Sequence, residues 1–172
     1  IKVLNLFAYT GGATCAASYA GAEEVCHVDA SKGMVAWAKE NAELSGLSNN
    51  KIRYIVDDCF KFVQREIRRG NKYDAVIMDP PSYGRGPNGE IWKFEEELTK
   101  LLKLTSQVLS DEPLFLLLNS YTTGLSPTAI ENMLKLIIVK DKQGSVSSGE
   151  IGLPVKREDL ILPCGIYGRW EK

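Results

Sequence analysis

DAVIMDPPSY, residues 74–83, contains an apolar run that stops at a carboxylate, two prolines and an aromatic ring. An uninterrupted apolar run of this length is typical of a strand buried within a sheet. Pro80 and Pro81 have no backbone N–H and disfavour helix in the residue before them, so the strand is expected to end at Asp79. Ligands of open α/β sheets bind beyond such carboxyl ends. The stretch predicts that Asp79 is presented at the mouth of a site, the alternative being an ordinary surface loop.

A glycine turn follows the first predicted strand. Residues 3–7 form that strand, and FAYTGG, residues 7–12, leads into a helix of small residues over 13–20. Glycine at a strand-to-helix turn lets the backbone approach a ligand, and the helix N-terminus offers free N–H groups. Only Gly11 and Gly12 stand in the turn, so the dinucleotide fingerprint Gly-x-Gly-x-x-Gly is not matched.

Acidic residues end two more predicted strands. The second strand, residues 23–29, ends at Asp29, and the third, residues 52–56, is followed closely by Asp58. An acid at the tip of the second strand can accept both hydroxyls of a ribose. Parallel strands bring their carboxyl ends to one edge of the sheet, so these acids and Asp79 are expected to share one cleft. That arrangement suits a cofactor containing a nucleoside.

The order of the predicted elements indicates the fold class. Strand and helix alternate five times, and two closing strands follow. The remaining helices are predicted over residues 32–44, 60–69, 94–109 and 128–139, and the remaining strands over 114–119, 145–153 and 166–170. We therefore expect an α/β fold that is Rossmann-like and doubly wound, with a mostly parallel seven-stranded sheet and an antiparallel strand near the C-terminus.

Length and composition favour a single domain. With 172 residues, 44% of them hydrophobic, the chain can bury the core of a three-layer α/β fold. A formal net charge of −1 supplies no general basic field, so nucleic-acid binding needs a local patch or another domain. The four cysteines are widely spaced, which argues against a metal site or disulfides and favours a cytoplasmic protein. No transmembrane segment or signal peptide is visible, so no membrane partner is expected.

Several features leave alternatives open. Residues 82–90 are rich in turn formers and are either a substrate lid or a plain surface connection. A satisfied, buried imidazole is favoured over a catalytic base for His27, and packing is favoured for Trp37 and Trp92. The chain opens directly in a strand, so we expect residues 1–172 to be one domain of a longer protein, separated here from an N-terminal region.

The motifs together resemble the class I S-adenosylmethionine-dependent methyltransferases. The resemblance rests on FAYTGG (7–12), HVDAS (27–31), DDCF (57–60) and DPPSY (79–83), and it covers essentially the whole chain. Within that superfamily the motifs are most similar to the branch containing bacterial 23S ribosomal-RNA methyltransferases. Methyl transfer from S-adenosylmethionine to a nucleic-acid base, with ribosomal RNA as substrate, is the implied function.

The resemblance implies a role for each motif. The turn would wrap the methionine part of the cofactor, HVDAS would hold the ribose, and DDCF would contact the adenine amine through a carboxylate and the backbone. The implied cofactor-binding residues are Phe7, Tyr9, Thr10, Gly11, Asp29, Ala30, Ser31, Asp58, Cys59 and Asp79. Asp79, Pro80 and Tyr83 would form the catalytic, acceptor-binding motif, with Asp79 and the Pro80 carbonyl accepting from a base amine and the Tyr83 ring stacking on the base. Ser82 departs from the four-residue Asp/Asn-Pro-Pro-aromatic form of amino-methyltransferases, where the aromatic residue follows the prolines directly.

A nitrogen acceptor is favoured over carbon 5 of a pyrimidine. Methylation of that carbon needs a thiolate to attack the ring first. Branch members that do this carry a cysteine just past the fifth strand, where this chain has NSYT, residues 119–122.

Three other functions remain open from the sequence. A methyltransferase of a small molecule or protein would fit the near-neutral charge. A nicotinamide-dependent oxidoreductase would require a third glycine and would leave DPPSY unexplained. A non-catalytic cofactor-binding module would be indicated by loss of Asp79 or of the glycine turn, and both are present.

Overall fold

The computed structural model describes residues 1–86 and 88–172; Pro87, within the predicted loop over residues 82–90, lies outside the described residues. The strands are β1 (Lys2–Leu6), β2 (Glu24–Asp29), β3 (Ile52–Val56), β4 (Ala75–Met78), β5 (Tyr83–Arg85), β6 (Ile91–Lys93), β7 (Phe115–Ser120), β8 (Ser145–Pro154) and β9 (Ile161–Glu171). The helices are α1 (Gly12–Tyr19), α2 (Lys32–Leu44), α3 (Cys59–Arg69), α4 (Phe94–Ser106), α5 (Pro127–Leu134) and α6 (Lys140–Lys142), with a π-helical segment (Lys135–Val139) between α5 and α6.

Seven strands form one sheet in the order β3-β2-β1-β4-β7-β9-β8. β3, β2, β1, β4 and β7 pair in parallel, and β9 is antiparallel to both of its neighbours. The predicted Rossmann-like fold with an antiparallel strand near the C-terminus is therefore confirmed. The strand order reverses between β1 and β4, because β2 and β3 are added on one side of β1 and β4 and β7 on the other; this places a cleft at the carboxyl ends of these central strands.

The central strands are apolar because helices cover both of their faces. Leu4 and Val76 are paired in register and fully buried on the face that packs against α3, α4 and α5. Val3 and Ala75 are buried on the opposite face beside α1. Alternate residues of each strand thus serve two separate core layers.

Side chains and backbone at the helix ends follow capping chemistry. The Ser31 hydroxyl accepts from the backbone N–H of Met34 at the start of α2, as predicted. Gly70 ends α3 in the left-handed conformation with φ 68°, which a side chain would disfavour. Two basic residues, Arg68 and Arg69, lie in the last turn of α3, where they complement the helix dipole.

Three element boundaries differ from the prediction by three or more residues. α4 ends at Ser106 rather than residue 109, because Val108 and Leu109 instead pair with Tyr73 just before β4. The helix predicted over 128–139 changes to π-helical hydrogen bonding after Leu134. β9 begins at residue 161, since hydrogen bonds to β8 extend it beyond the part that β7 covers.

Two other predicted features take a definite form in the structure. Residues 82–90 were predicted to be either a substrate lid or a plain surface connection, and Tyr83–Arg85 in this stretch pairs with Ile91–Lys93 as an antiparallel hairpin. Trp92 is buried as predicted, whereas Trp37 is half exposed on α2.

The four cysteines are free thiols. None of the described helices has the length and apolarity needed to cross a lipid bilayer.

Candidate active site

A cleft of about 430 Å³ opens at the carboxyl edge of the sheet. It is bounded by the ends of β1, β2 and β4, the start of α3, the β5–β6 hairpin and the residue after β7. Its lining residues are Phe7, Tyr9, Asp29, Ala30, Ser31, Asp58, Cys59, Asp79, Pro81, Gly84, Arg85, Gly86, Trp92 and Tyr121. The volume is in the range of cofactor and small-molecule sites.

The turn after β1 is held in an unusual backbone conformation. Phe7 and Tyr9 have φ angles of 55° and 47°, although neither is glycine. Gly11 has φ 85°, and a Cβ atom there would lie 2.9 Å from Cβ of Ala38 on α2. Left-handed backbone in residues with side chains is uncommon and clusters at ligand sites. Gly11 thus lets α2 pack closely behind the turn, while Phe7 and Tyr9 face the cleft.

Asp29 at the end of β2 fixes the turn from the other side. Its Oδ2 accepts from the backbone N–H of Tyr9 at 2.8 Å, and its Oδ1 accepts from the backbone N–H of Ser31 at 2.9 Å. Each carboxylate oxygen has further lone pairs, so Asp29 can still accept from a ligand. One side chain therefore joins the turn after β1 to the start of α2.

Asp58 and Cys59 begin α3 at the next strand end. Oδ1 of Asp58 accepts from the backbone N–H of Lys61 at 2.9 Å, which caps the helix. The Cys59 side chain is buried, and burial raises the pKa of its thiol far above the ordinary value. The thiol is consequently protonated and unreactive, and the backbone is the part of Cys59 suited to binding.

The two oxygens of Asp79 differ in their surroundings. Oδ2 accepts from the hydroxyl of Tyr121 at 3.4 Å, whereas Oδ1 is buried with no hydrogen-bond partner among the described residues. Burial raises the pKa of Asp79, and the Tyr121 hydrogen bond opposes part of that rise. A buried acceptor without a donor is costly in a folded protein and indicates a place for a ligand.

The β5–β6 hairpin forms one wall of the cleft. The indole N–H of Trp92 donates to the Pro81 carbonyl at 2.6 Å, and its ring lies 4.9 Å from the Phe7 ring, centroid to centroid. An ion pair between Lys61 and Glu90 joins the hairpin to α3. These contacts hold the hairpin against Phe7 and the start of α3.

The structure brings together most of the residues singled out from the sequence. Phe7, Tyr9, Asp29, Ala30, Ser31, Asp58, Cys59 and Asp79 all line the cleft. Thr10 and Gly11 belong to the turn after β1 but do not line the cleft. The Thr10 carbonyl accepts from Nδ2 of Asn41 on α2 at 2.9 Å. Pro80 is buried, and Tyr83 begins β5 with 53% of its surface exposed; neither lines the cleft itself.

Six lining residues were not among the site residues named from the sequence: Pro81, Gly84, Arg85, Gly86, Trp92 and Tyr121. Trp92 and Arg85 reach the cleft only because the hairpin folds back over the sheet edge. Tyr121 reaches it from the loop after β7, and its position three residues after the apolar run 114–118 was the available signal. Among the described residues, no group of three or more His, Cys, Asp or Glu side chains is arranged to hold a metal ion.

Solved and curated proteins resemble this chain to different extents. A crystallised S-adenosylmethionine-dependent methyltransferase from Agrobacterium tumefaciens is 41% identical and superposes with a TM-score of 0.94, over 99% of this chain and 56% of that one. The ribosomal RNA large subunit methyltransferase I of Klebsiella pneumoniae (strain 342) is 39% identical over 82 residues, which are 48% of this chain and 20% of that protein. The ribosomal RNA large subunit methyltransferase K/L of Shewanella frigidimarina (strain NCIMB 400) is 36% identical over 110 residues, 63% of this chain and 15% of that protein. The chain thus spans a fifth or less of the length of these two curated relatives.

The family comparison covers the cleft-forming part of the chain. A family model described as S-adenosylmethionine-dependent methyltransferase matches residues 1–123. That range contains the turn after β1, the three strand-end carboxylates and Tyr121. With its fold, its cleft and most of its length in agreement, the chain belongs to the S-adenosylmethionine-dependent methyltransferase family.

Proposed function

We propose that this chain transfers a methyl group from S-adenosylmethionine to a nitrogen of a base in large-subunit ribosomal RNA. The observation that carries the proposal is the buried Oδ1 of Asp79, an acceptor without a donor in the same cleft as Asp29 and Asp58. An amino group on a flat base supplies the missing donor. The printed names of the curated relatives support ribosomal RNA as the class of substrate.

The residues present fit the proposed cofactor. Asp29 would accept from the ribose hydroxyls, and Asp58 with the Cys59 backbone would contact the adenine amine. The turn from Phe7 to Gly11 would hold the methionine part, with Thr10 and Gly11 shaping the turn from behind. Ala30 and Ser31 complete the ribose end of the cleft, and the apolar rings of Phe7 and Trp92 offer surface to the nucleoside.

The acceptor would be held by Asp79 in the cleft and by Pro80 and Tyr83, which lie outside the cleft lining. S-adenosylmethionine supplies a methyl group already activated on a sulfonium sulfur, so the chain mainly aligns the acceptor and excludes water. Asp79 and the Pro80 carbonyl would accept from the base amine and orient its nitrogen. The half-exposed Tyr83 ring would stack on the base, which has to leave its helical stack or lie in a single strand.

Two of the four thiols are unsuited to carbon methylation, which favours a nitrogen acceptor. Burial raises the pKa of Cys26 to about 11 and raises that of Cys59 still further. Both thiols therefore stay protonated near neutral pH, and neither can act as the thiolate that carbon methylation requires.

The near-neutral charge bears on how RNA would be held. A net charge of −1 is a weak basis for binding a polyanion. We therefore propose that residues 1–172 form the catalytic domain of a longer cytoplasmic protein, in which an N-terminal region contributes RNA binding. The small fraction of each curated relative that this chain covers supports that division.

The first experiment is calorimetric titration of the chain with S-adenosylmethionine and, in parallel, with NAD. We expect binding of the methyl donor alone, weakened about 10- to 100-fold by Asp29→Ala, because hydrogen bonds to a charged group are lost. Asp111→Ala, at an exposed acid outside the cleft, is the matched control and is expected to bind as the wild type does. Binding of NAD without the methyl donor would contradict the cofactor assignment.

The second experiment follows tritiated methyl transfer to large-subunit ribosomal RNA transcribed in vitro, with nucleosides identified by mass spectrometry. We expect label on a base nitrogen and a rate about 100- to 1,000-fold lower for Asp79→Asn, since a donor group would replace one acceptor oxygen. Asp111→Asn is the control. Cofactor binding without labelled RNA would overturn RNA as the substrate of this chain and favour a small-molecule or protein acceptor.

A further inference from the structure

Tyr121 lies beside Asp79, at the end of the neighbouring strand β7. It is the first residue after β7, lines the cleft and donates its hydroxyl to Oδ2 of Asp79 at 3.4 Å. Half of its surface is exposed, so the side chain stands at the mouth rather than in the core. The sequence motif that suggested the acceptor site, residues 79–83, does not include it.

The position of the Tyr121 ring depends on β9. A Cβ atom at Gly165 would lie 2.8 Å from Cδ1 of Tyr121 and 2.7 Å from the Ser120 carbonyl oxygen. Gly165 also has φ 151°, which a residue with a side chain rarely adopts. Because Gly165 has no side chain, the Tyr121 ring can lie beside Asp79.

The loop that carries Tyr121 is joined to the acceptor motif by a second contact. The Ser82 and Thr122 hydroxyls are 3.0 Å apart, and the backbone N–H of Thr122 donates to the Ser120 hydroxyl at 3.1 Å. These contacts hold the loop after β7 against the loop after β4. The position of Tyr121 beside Asp79 is thus fixed by the Ser82–Thr122 contact and by the packing of its ring against Gly165.

The hydrogen bond makes the Asp79 carboxylate asymmetric. With Oδ2 engaged by Tyr121, Oδ1 is the oxygen left to accept from a ligand. A carboxylate free to rotate would offer either oxygen in several directions. A carboxylate held at one oxygen presents the other in a single direction, which is the condition for orienting an acceptor nitrogen.

We propose that Tyr121 is a positioning residue for methyl transfer: its hydroxyl holds Asp79 so that Oδ1 faces the acceptor amine. This rests on the proposed function, since Asp79 is the group through which Tyr121 acts. Tyr121 is assigned no contact with the methyl donor. Its effect is therefore on catalytic rate and on the protonation of Asp79, not on cofactor affinity.

The protonation state supplies a readout that does not require an acceptor. Burial raises the pKa of Asp79, and the hydrogen bond from the Tyr121 hydroxyl opposes part of that rise. Burial, followed by the Asp79 charge, raises the pKa of Tyr121. The other titratable group near Tyr121 is Cys164 on β9, whose thiol donates to the Leu162 carbonyl at 3.3 Å. Removing the Tyr121 hydroxyl is consequently expected to raise the pKa of Asp79 further.

The test compares Tyr121→Phe with the wild type by carbon-13 NMR of labelled aspartate carboxyls across pH, with the Asp79 resonance assigned by its loss in Asp79→Asn. Tyr19→Phe, at a tyrosine 84% exposed on α1, is the matched control. We expect a higher Asp79 pKa in Tyr121→Phe alone, with an unchanged dissociation constant for S-adenosylmethionine. An unshifted Asp79 titration would overturn the proposal.

Methyl transfer to the RNA transcript is measured on the same variants. We expect kcat to fall about 10- to 100-fold in Tyr121→Phe with little change in the KM for the methyl donor, since one hydrogen bond to a charged group is lost. An unchanged kcat would also overturn the proposal. If the wild type labels no RNA, the proposed substrate fails, while the NMR titration still decides whether Tyr121 sets the state of Asp79.

Gly165→Ala tests the same contact from the other side. The added methyl group displaces the Tyr121 ring, so we expect the Asp79 pKa to rise as it does in Tyr121→Phe. In the double variant the two effects should not add, because both remove one interaction. Additive shifts would show that Gly165 acts on Asp79 by another route and would contradict the proposed role of the ring.

Discussion

His27 is a buried residue with one satisfied and one unsatisfied nitrogen. Nδ1 lies 2.9 Å from the Thr14 hydroxyl, which also accepts from Nδ2 of Asn5, whereas Nε2 has no partner among the described residues. The burial predicted from the sequence is confirmed, but full hydrogen bonding is not. Burial lowers the pKa of His27 from 6.5 to about 4, so the imidazole is neutral near pH 7. His27 is therefore a packing residue between β2 and α1 and not an acid–base catalyst.

This shift makes stability depend on pH. Between pH 6.5 and 4 the unfolded chain binds a proton that the folded chain does not, so the free energy of unfolding falls as the pH falls. We expect His27 to account for a loss of about 3 kcal/mol between pH 7 and pH 4. Urea denaturation of the wild type and of His27→Asn across this range measures the difference. An equal loss in both proteins would contradict the assignment, since Glu24, Glu66 and Asp74 also have lowered pKa values and remain in both.

The β5–β6 hairpin is the element on which the cleft wall depends. Trp92 anchors it through the Pro81 carbonyl and through ring contacts with Phe7 and Phe60. The Lys61–Glu90 ion pair is exposed to solvent, which screens it, so it is expected to contribute less to the position of the hairpin than Trp92 does. The indole ring of Trp92 therefore anchors the hairpin at the cleft.

Trp92→Phe removes the indole N–H and keeps an aromatic ring. We expect it to weaken S-adenosylmethionine binding about 3- to 10-fold, because the Pro81 carbonyl loses its donor and the cleft wall loosens. Trp37→Phe is the control, since Trp37 is half exposed on α2 and does not line the cleft. Calorimetric titration of both variants measures the effect, and equal affinities would show that the hairpin does not need this contact.

The cleft belongs to the molecule as a whole. Its lining residues run from Phe7 to Tyr121. Each of the five parallel strands has a lining residue at its carboxyl end or just beyond it. A ligand bound there is lost when the sheet unfolds, so binding and global stability are coupled.

Saturation with S-adenosylmethionine is therefore expected to raise the melting temperature in a single cooperative transition. At 100 times the dissociation constant the added stability is about 2.7 kcal/mol, or roughly 5–10 °C for a chain of this size. Asp29→Ala should lose most of the shift at the same concentration, while Asp111→Ala should retain it. Differential scanning calorimetry measures both, and a second transition insensitive to the ligand would show that the C-terminal hairpin unfolds separately.

The layered α/β fold, the N-cap at Ser31 and the carboxylates Asp29, Asp58 and Asp79 follow from the sequence alone. These features are local or periodic: apolar runs specify buried strands, prolines end them, and parallel strands bring their ends to one edge. The family resemblance added the cofactor, and the family match bears it out.

Which side chains meet in the cleft depends on tertiary contacts. The folded-back hairpin brings Trp92 to the cleft, and the pairing of β7 beside β4 brings Tyr121 to Asp79, with room for its ring left by Gly165 on β9. The spacing of these residues in the sequence does not predict which side chains they contact. The same holds for Trp37, which lies exposed, and for α4, which ends where Val108 and Leu109 pair with Tyr73. Contacts between residues far apart in the chain depend on packing, which local propensity and periodicity do not encode.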